Sequence, residues 1–333
     1  MYDLEFKIKK FNKENEEIWD YFVLNSSVNG TFLHTRKFLN YHKSKFIDSS
    51  YLIYNDNEEI IAVCPACELY DNNRKVLFSH KGSTFGGLVI NNNYYDLQNV
   101  LKIINLLEKK LIEDDFTKIY LKITPSLFSK ESSDLLDFCL KYNNYLNYSD
   151  LNLYIDFNNY NNDILSNIKQ GKRGNIKNCI KNNFNLKRLD NDKEIIEFYN
   201  ILCITLNKYQ AKPVHNINEL LDFKNYRLKD ECEFFGIYNY DKMIAGSMMF
   251  YFNNIKCAHT QYLCSLPEYN KLSPMTFMYY CMIIEAKQKN YQKLSWGIVT
   301  ENDGKFINLG LAKSKLSYGS KYSINTIYYK NLI

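Results

Sequence analysis

What most limits the fold of this chain is an order of elements that occurs twice along it. Each half reads as a strand, helices, an antiparallel meander, a long helix and a closing strand. In the first half, a strand over residues 4–11 precedes helical stretches at 16–24 and 36–42. The meander occupies 51–55, 60–70 and 75–80, and its turns are DNEE and DNNR. Asn and Asp suit such turns because their short polar side chains tolerate left-handed backbone. Residues 96–113 place Leu97, Val100, Leu101, Ile104 and Leu107 at helical spacing. A strand at 118–123, a helix near 133–140 and a strand at 151–157 close the half. The second half repeats the order. It begins with a basic helix over 163–182, a short strand at 185–189 and a helix over 192–207. Strands at 231–239, 243–252 and 254–263 follow, then a helix over 273–289 with Pro274 in its first turn. Strands at 293–298 and 324–330 end the chain. The expectation is an α/β (α+β) protein of two tandem domains, 1–160 and 161–333. Each is a mixed, largely antiparallel sheet flanked by helices.

Composition narrows the function. At 333 residues, 46% hydrophobic and 24% charged, with 5 Pro and 12 Gly, the chain is globular. The net charge of +5, from 42 Lys and Arg against 37 Asp and Glu, is far from that of a DNA-binding surface. It still suits an anionic substrate such as a nucleotide-sugar, a CoA thioester or a tRNA end. The 29 tyrosines, with many Asn and Lys, read as the codon bias of an AT-rich genome. Nine cysteines cannot all pair, and the single C-x-x-C, Cys64 and Cys67, lies in a stretch that reads as one strand. Positions three apart on a strand face opposite sides, so neither a metal site nor a redox pair is expected. Free thiols point to a reducing compartment. The start MYDLEFKIKK has no apolar signal region, and the longest near-apolar run, 275–284, is far short of the roughly 20 residues a membrane span needs. A soluble, cytoplasmic protein is expected.

Several short pieces follow one another in a telling order and spacing. They are Pro213-Val214-His215 with Glu219-Leu220, then His259-Thr260-Gln261-Tyr262 with Ser265, then Gly297-Ile298-Val299-Thr300-Glu301. The last is Asn308-x-Gly310-Leu311-x₃-Lys315 with Gly319, and His80-x-Gly82-x₃-Gly86-Gly87 matches in the first half. Together they resemble the FemAB-like branch of the GNAT acyltransferase superfamily over most of the chain. The resemblance implies two tandem GNAT-like domains: a degenerate, acceptor-side first domain and a catalytic, donor-side second one. It also implies polysaccharide biosynthesis for the cell envelope, since such proteins often stand among surface-polysaccharide genes. The expected reaction is N-acylation of an amino sugar or nucleotide-linked sugar. Fem aminoacyltransferases instead use aminoacyl-tRNA to extend the cell-wall peptide. They end in a similar Gly-Leu-x₃-Lys-x₃-Gly run with a Phe before the Lys. Here Ser314 replaces that Phe, Leu316 stands where the branch tends to have Glu, and there is no long coiled-coil insertion. These departures argue against a cell-wall bridge enzyme. Ordinary GNAT enzymes cradle the CoA pyrophosphate with a [QR]-x-x-G-x-[GA] loop at a helix N-terminus. The equivalent stretch here, PEYNKLSPM, has no glycine. Acyl-CoA, acetyl-CoA above all, remains the expected donor, with aminoacyl-tRNA as the alternative. A binding protein derived from a GNAT pair is the non-catalytic alternative.

Amine acylation needs a base, a stabiliser for the oxyanion and aligned substrates. His259, in a strand, is one base candidate, because histidine titrates near neutrality. Glu301, after an apparent strand end, is the other, or an anchor for the acceptor's ammonium. The resemblance singles out Lys315 from its neighbours Lys305, Lys313 and Lys321 as the stabilising cation. Gln261 shares the His259 face and can meet the same ligand, whereas Tyr262 in a regular strand points away. The resemblance adds Tyr262 and Asn308 as substrate contacts. His215 either touches the acceptor or marks the start of a helix. Lys169, Arg173, Lys177 and Lys181 form one helical stripe, either solvated surface or a phosphate contact led by the planar fork of Arg173. His80 with Gly82, Gly86 and Gly87 marks a close backbone approach, and His42 with Arg36 gives weaker acceptor-side candidates.

Overall fold

The computed structural model describes residues 5–208 and 210–332. Two compact units divide the chain, Met1–Asp150 with Ile324–Ile333, and Leu151–Ser323.

The first unit holds two sheets. One is antiparallel, in the order Lys7–Lys10, Tyr51–Tyr54, Ile60–Cys64, Val89–Ile90. The expected start of its first strand at Leu4 lies outside the described residues. The other runs Lys321–Asn331 (in this unit from Ile324 onward), Lys118–Lys122, Arg74–Ser79, Cys67–Asp71, Ile47–Asp48. In it Lys118–Lys122 and Arg74–Ser79 are parallel, and the other neighbouring strands pair antiparallel. The single strand expected over 60–70 is therefore two strands in two sheets. Pro65 cannot donate to a ladder, and the chain leaves one sheet at Cys64 and joins the other at Cys67. Both thiols are buried, and burial pushes Cys64 up to about 12 and Cys67 up to about 11. They pack as small apolar groups. The long helix Leu97–Glu113 starts where the Asp96 carboxylate accepts from the Asn99 N–H at 3.0 Å. Its buried face of Val100, Ile103, Ile104, Leu107 and Leu111 joins a core with Ile53, Ala62 and Ile119.

The second unit is built on one sheet in the order Asn185–Arg188, Cys232–Asn239, Lys242–Phe252, Cys257–Ser265, Lys293–Ile298. Leu146–Asp156 follows, with its residues from Leu151 onward in this unit. The first four strands pair antiparallel. Cys257–Ser265 and Lys293–Ile298 are parallel, and the helix Pro274–Gln288 makes the crossover that parallel pairing demands. That helix buries Phe277, Met278, Cys281, Met282, Ile283 and Ala286 in the unit's core. The basic helix expected over 163–182 is two pieces, a 3₁₀ turn at Ile164–Asn167 started by Asp163 and the α-helix Gln170–Lys181. The helix expected after His215 is Ile217–Asp222, and a further short helix, Leu309–Leu316, places Lys315. Among the described residues no helix is long and apolar enough to cross a membrane.

Candidate functional site

Two departures from regular pairing meet on the strand Cys257–Ser265. Its parallel ladder pairs Cys257 with Lys293, Ala258 with Leu294 and His259 with Ser295, and ends there. On the opposite edge Met248 faces Tyr262 and Met249 faces Thr260, so Gln261 is an extra residue, a β-bulge. A bulge shifts the in–out alternation that a regular strand would keep. Tyr262 Oη consequently sits 2.8 Å from His215 Nδ1, and Gln261 hydrogen-bonds both His259 and Tyr262. The expectation that Tyr262 faces away from this group is thus corrected. Burial pushes the Tyr262 phenol up to about 12, so it is a neutral hydrogen-bonding group. His215, 2% exposed, precedes the Asn216 cap of Ile217–Asp222 and packs edge-on against Phe223. It is both the start of a helix and a partner of Tyr262.

His259 is 6% exposed, and its Nδ1 lies 3.1 Å from Ser295 Oγ. Beyond Ser295 the chain bulges and Gly297 takes φ +79°, a left-handed value that favours glycine. A Cβ at Gly297 would lie 3.6 Å from His259 Cε1. The carbonyls that follow are turned to Lys315, whose Nζ donates to Gly297 O and Ile298 O, each at 3.0 Å. Lys315 is brought there by Leu309–Leu316, a helix started by Asn308, whose Oδ1 accepts from Leu311 N at 3.0 Å. Asn308 therefore works as a helix cap. Lys315 is 4% exposed and makes no ion pair among the described residues. Burial alone brings its pKa down to about 7, and burial plus the nearby Lys315 charge brings His259 down to about 4. His259 and Lys315, 56 positions apart in the sequence, thus flank one glycine.

The remaining predicted residues lie elsewhere. Glu301 is exposed on the hairpin of Thr300–Glu301 with Phe306–Ile307, and its carboxylate has no hydrogen bond or ion pair among the described residues. Arg173 spends its fork on its own chain, Nε on Ile168 O at 2.5 Å and an Nη on Ser166 O at 3.2 Å. It ties down the segment before its helix, while Lys169, Lys177 and Lys181 stay exposed. Lys172, outside the predicted stripe, is the half-buried member, within 3.4 Å of Thr276 Oγ1 and Ser314 Oγ. In the glycine-free stretch Ser273 adopts φ +59° just before the helix Pro274–Gln288. In the first unit His42 and His80 stack at 5.1 Å, and burial lowers His80 to about 4. Gly82 is required under His42, since a Cβ would meet its Cε1 at 2.4 Å. Gly86 and Gly87 let backbone pass His80 and Ile123, where a Cβ would meet main-chain atoms at 2.6 and 2.9 Å. A groove of about 710 Å³ in this unit, lined in part by Glu17, Tyr21, Tyr54 and Glu59, contains none of the predicted residues. Among the described residues no group of three or more His, Cys, Asp or Glu could hold a metal ion.

Sequence reasoning missed Ser295, Asn152, Gly297's carbonyl role and the bulge at Gln261. The glycine in a strand-like run, WGIV, was the one available signal.

No protein-family model matches this chain, and no curated protein sequence does. Solved structures do resemble it. The crystal structure of FemX superposes with a TM-score of 0.71 at 12% identity, over 97% of each chain. L-PGS from Bacillus licheniformis gives 0.61 at 9% identity, over 95% of this chain and 91% of that one. A tandem GNAT protein from the clavulanic acid biosynthesis pathway gives 0.57 at 7% identity, over 99% of each. This chain therefore has the fold of FemX and of the tandem GNAT protein, a mixed α/β architecture.

Proposed function

We propose that this protein is an N-acyltransferase. It moves an acyl group from an activated donor, an acyl-CoA such as acetyl-CoA, to the amine of an amino sugar or nucleotide-linked sugar used for surface glycans. The observation that carries the reading is the meeting of His259 and Lys315 around Gly297, where the parallel strands part. The substrate class follows from the family resemblance. The fold shared with a tandem GNAT protein of a biosynthesis pathway supports a transferase reading. The first unit, with His42, His80 and its glycines, is the acceptor side of this proposal, and the second the donor side. Buried free thiols support a reducing, cytoplasmic setting.

In the proposed reaction the neutral amine attacks the acyl carbonyl, the new N–C bond pushes an electron pair onto oxygen, and the intermediate expels the donor's thiolate. The attacking nitrogen becomes acidic as it bonds, so a weak base can take its proton then. His259, neutral above about 4, takes that proton, which finally goes to the thiolate. Lys315 in its charged form stabilises the oxyanion, an interaction worth 10²–10³-fold in comparable sites, roughly. His259 is preferred to Glu301 as the base because Glu301 stands exposed on its hairpin. The test is turnover of acetyl-CoA with a panel of amino sugars and their nucleotide-linked forms. Loss of turnover in both His259→Ala and Lys315→Ala supports the roles, and near-normal turnover in either refutes that role.

One observation favours a second donor. The exposed Lys169, Lys177 and Lys181 and the missing glycine cradle suit an aminoacyl-tRNA end. Salt-sensitive tRNA binding that these lysines control would decide for it.

A further inference from the structure

Behind His259 stands a run of uncharged polar groups with no place in the chemistry so far. Ser295 is fully buried and Asn152 is 1% exposed. Ser295 Oγ lies 3.1 Å from His259 Nδ1, 3.2 Å from Asn152 Oδ1 and 3.3 Å from the Gly297 N–H. Asn152 Nδ2 in turn donates to Ser323 Oγ at 2.8 Å, which turns its Oδ1 toward Ser295.

A serine hydroxyl has one hydrogen and two lone pairs. The Gly297 N–H can only donate, so it takes one lone pair. An amide oxygen can only accept, so the hydroxyl hydrogen goes to Asn152. The single position left on Ser295 Oγ is an acceptor, and it faces His259 Nδ1. The Ser295 carbonyl and the Gln261 side chain also hydrogen-bond the ring and favour its charged form, so the choice between the two nitrogens falls to the Ser295 hydroxyl. We infer that Ser295 and Asn152 are positioning residues that fix His259 as its Nδ1–H tautomer and leave Nε2 as the proton-accepting nitrogen. The relay is neutral, so it orients the ring without supplying the negative charge that would hold it protonated. Strand pairing builds it: His259 pairs with Ser295, and Asn152 with Ile298 on the neighbouring strand. This inference rests on the proposal that His259 is the base, but the tautomer can be read without any substrate.

The test is the ¹⁵N spectrum of the imidazole nitrogens in histidine-labelled full-length protein at pH 7, with His259 assigned by comparison with His259→Gln. The expected result is a protonated Nδ1 and an unprotonated Nε2. In Asn152→Ala the Ser295 hydroxyl is released to donate to Nδ1, and the population moves toward Nε2–H. Asn152→Asp retains an acceptor there and adds charge, so it keeps the Nδ1–H form and raises the His259 midpoint by about one pH unit or more. A wild-type His259 protonated on Nε2, the outcome if the Asn152 amide is turned over, overturns the inference. So does a tautomer unchanged in Asn152→Ala. If instead the tautomer is as stated but His259→Gln keeps full turnover, the base assignment fails while the relay stands.

Discussion

Lys315 and His259 sit close enough that a charge on one disfavours a charge on the other, and both are nearly sealed from water. With Lys315 near 7 and His259 near 4, the state with charged lysine and neutral histidine is the working one, and it fades above neutrality. Turnover therefore falls as pH rises through about 7, where Lys315 loses its proton. Lys315→Arg keeps its charge throughout, so its alkaline limb moves up by roughly 2 pH units or more, at a lower maximal rate because the guanidinium does not reproduce the ammonium's geometry. A kcat–pH profile of the two proteins checks this. Burial acts on stability through three histidines. His34, His80 and His259 are all held near 4, below the ordinary 6.5. The unfolded chain then binds more protons than the folded one between these values. Their contribution is complete above 6.5 and is lost as pH falls toward 4, at about 1.4 kcal/mol per unit for each group. Urea midpoints measured from pH 7 down to 4.5 are expected to fall steeply. His34→Gln flattens that fall by about one third, and an unchanged slope contradicts the assignment.

At the scale of elements, the site depends on two interruptions of regular strand. Gly297 at φ +79° turns its own and the next carbonyl to Lys315. Gly297→Ala is expected to cost about 1–2 kcal/mol in backbone strain and to displace those carbonyls. Turnover then drops by at least about tenfold while far-ultraviolet circular dichroism is unchanged. Retained activity would show that the left-handed turn is not needed. The long helices were legible because their buried residues recur every three or four positions, as Val100, Ile104, Leu107 and Leu111 do. The bulge was not legible. One extra residue in HTQY carries no compositional mark, and only pairing with Met248 and Met249 reveals it. Pro65 was a readable break that the apolar run around it concealed.

Across the whole molecule, the doubled order of elements was enough to anticipate a tandem fold, and structures 7–12% identical to the chain share it. The site was half visible. Lys315 and His259 stood out through short motifs, but Ser295 and Asn152 are ordinary strand residues 143 positions apart. Their meeting is a product of strand order, which local sequence does not encode. Arg173 was marked by its helical charge stripe and Asn308 by a short motif, and the structure uses them to tie down a loop and to start a helix. The most direct test of the account is steady-state transfer from acetyl-CoA to amino-sugar acceptors by the wild-type protein, His259→Gln and Lys315→Met. Turnover by the wild type and a loss of about 100-fold or more in each variant are expected, with both variants folded. Turnover within threefold of wild type in either variant would contradict this expectation.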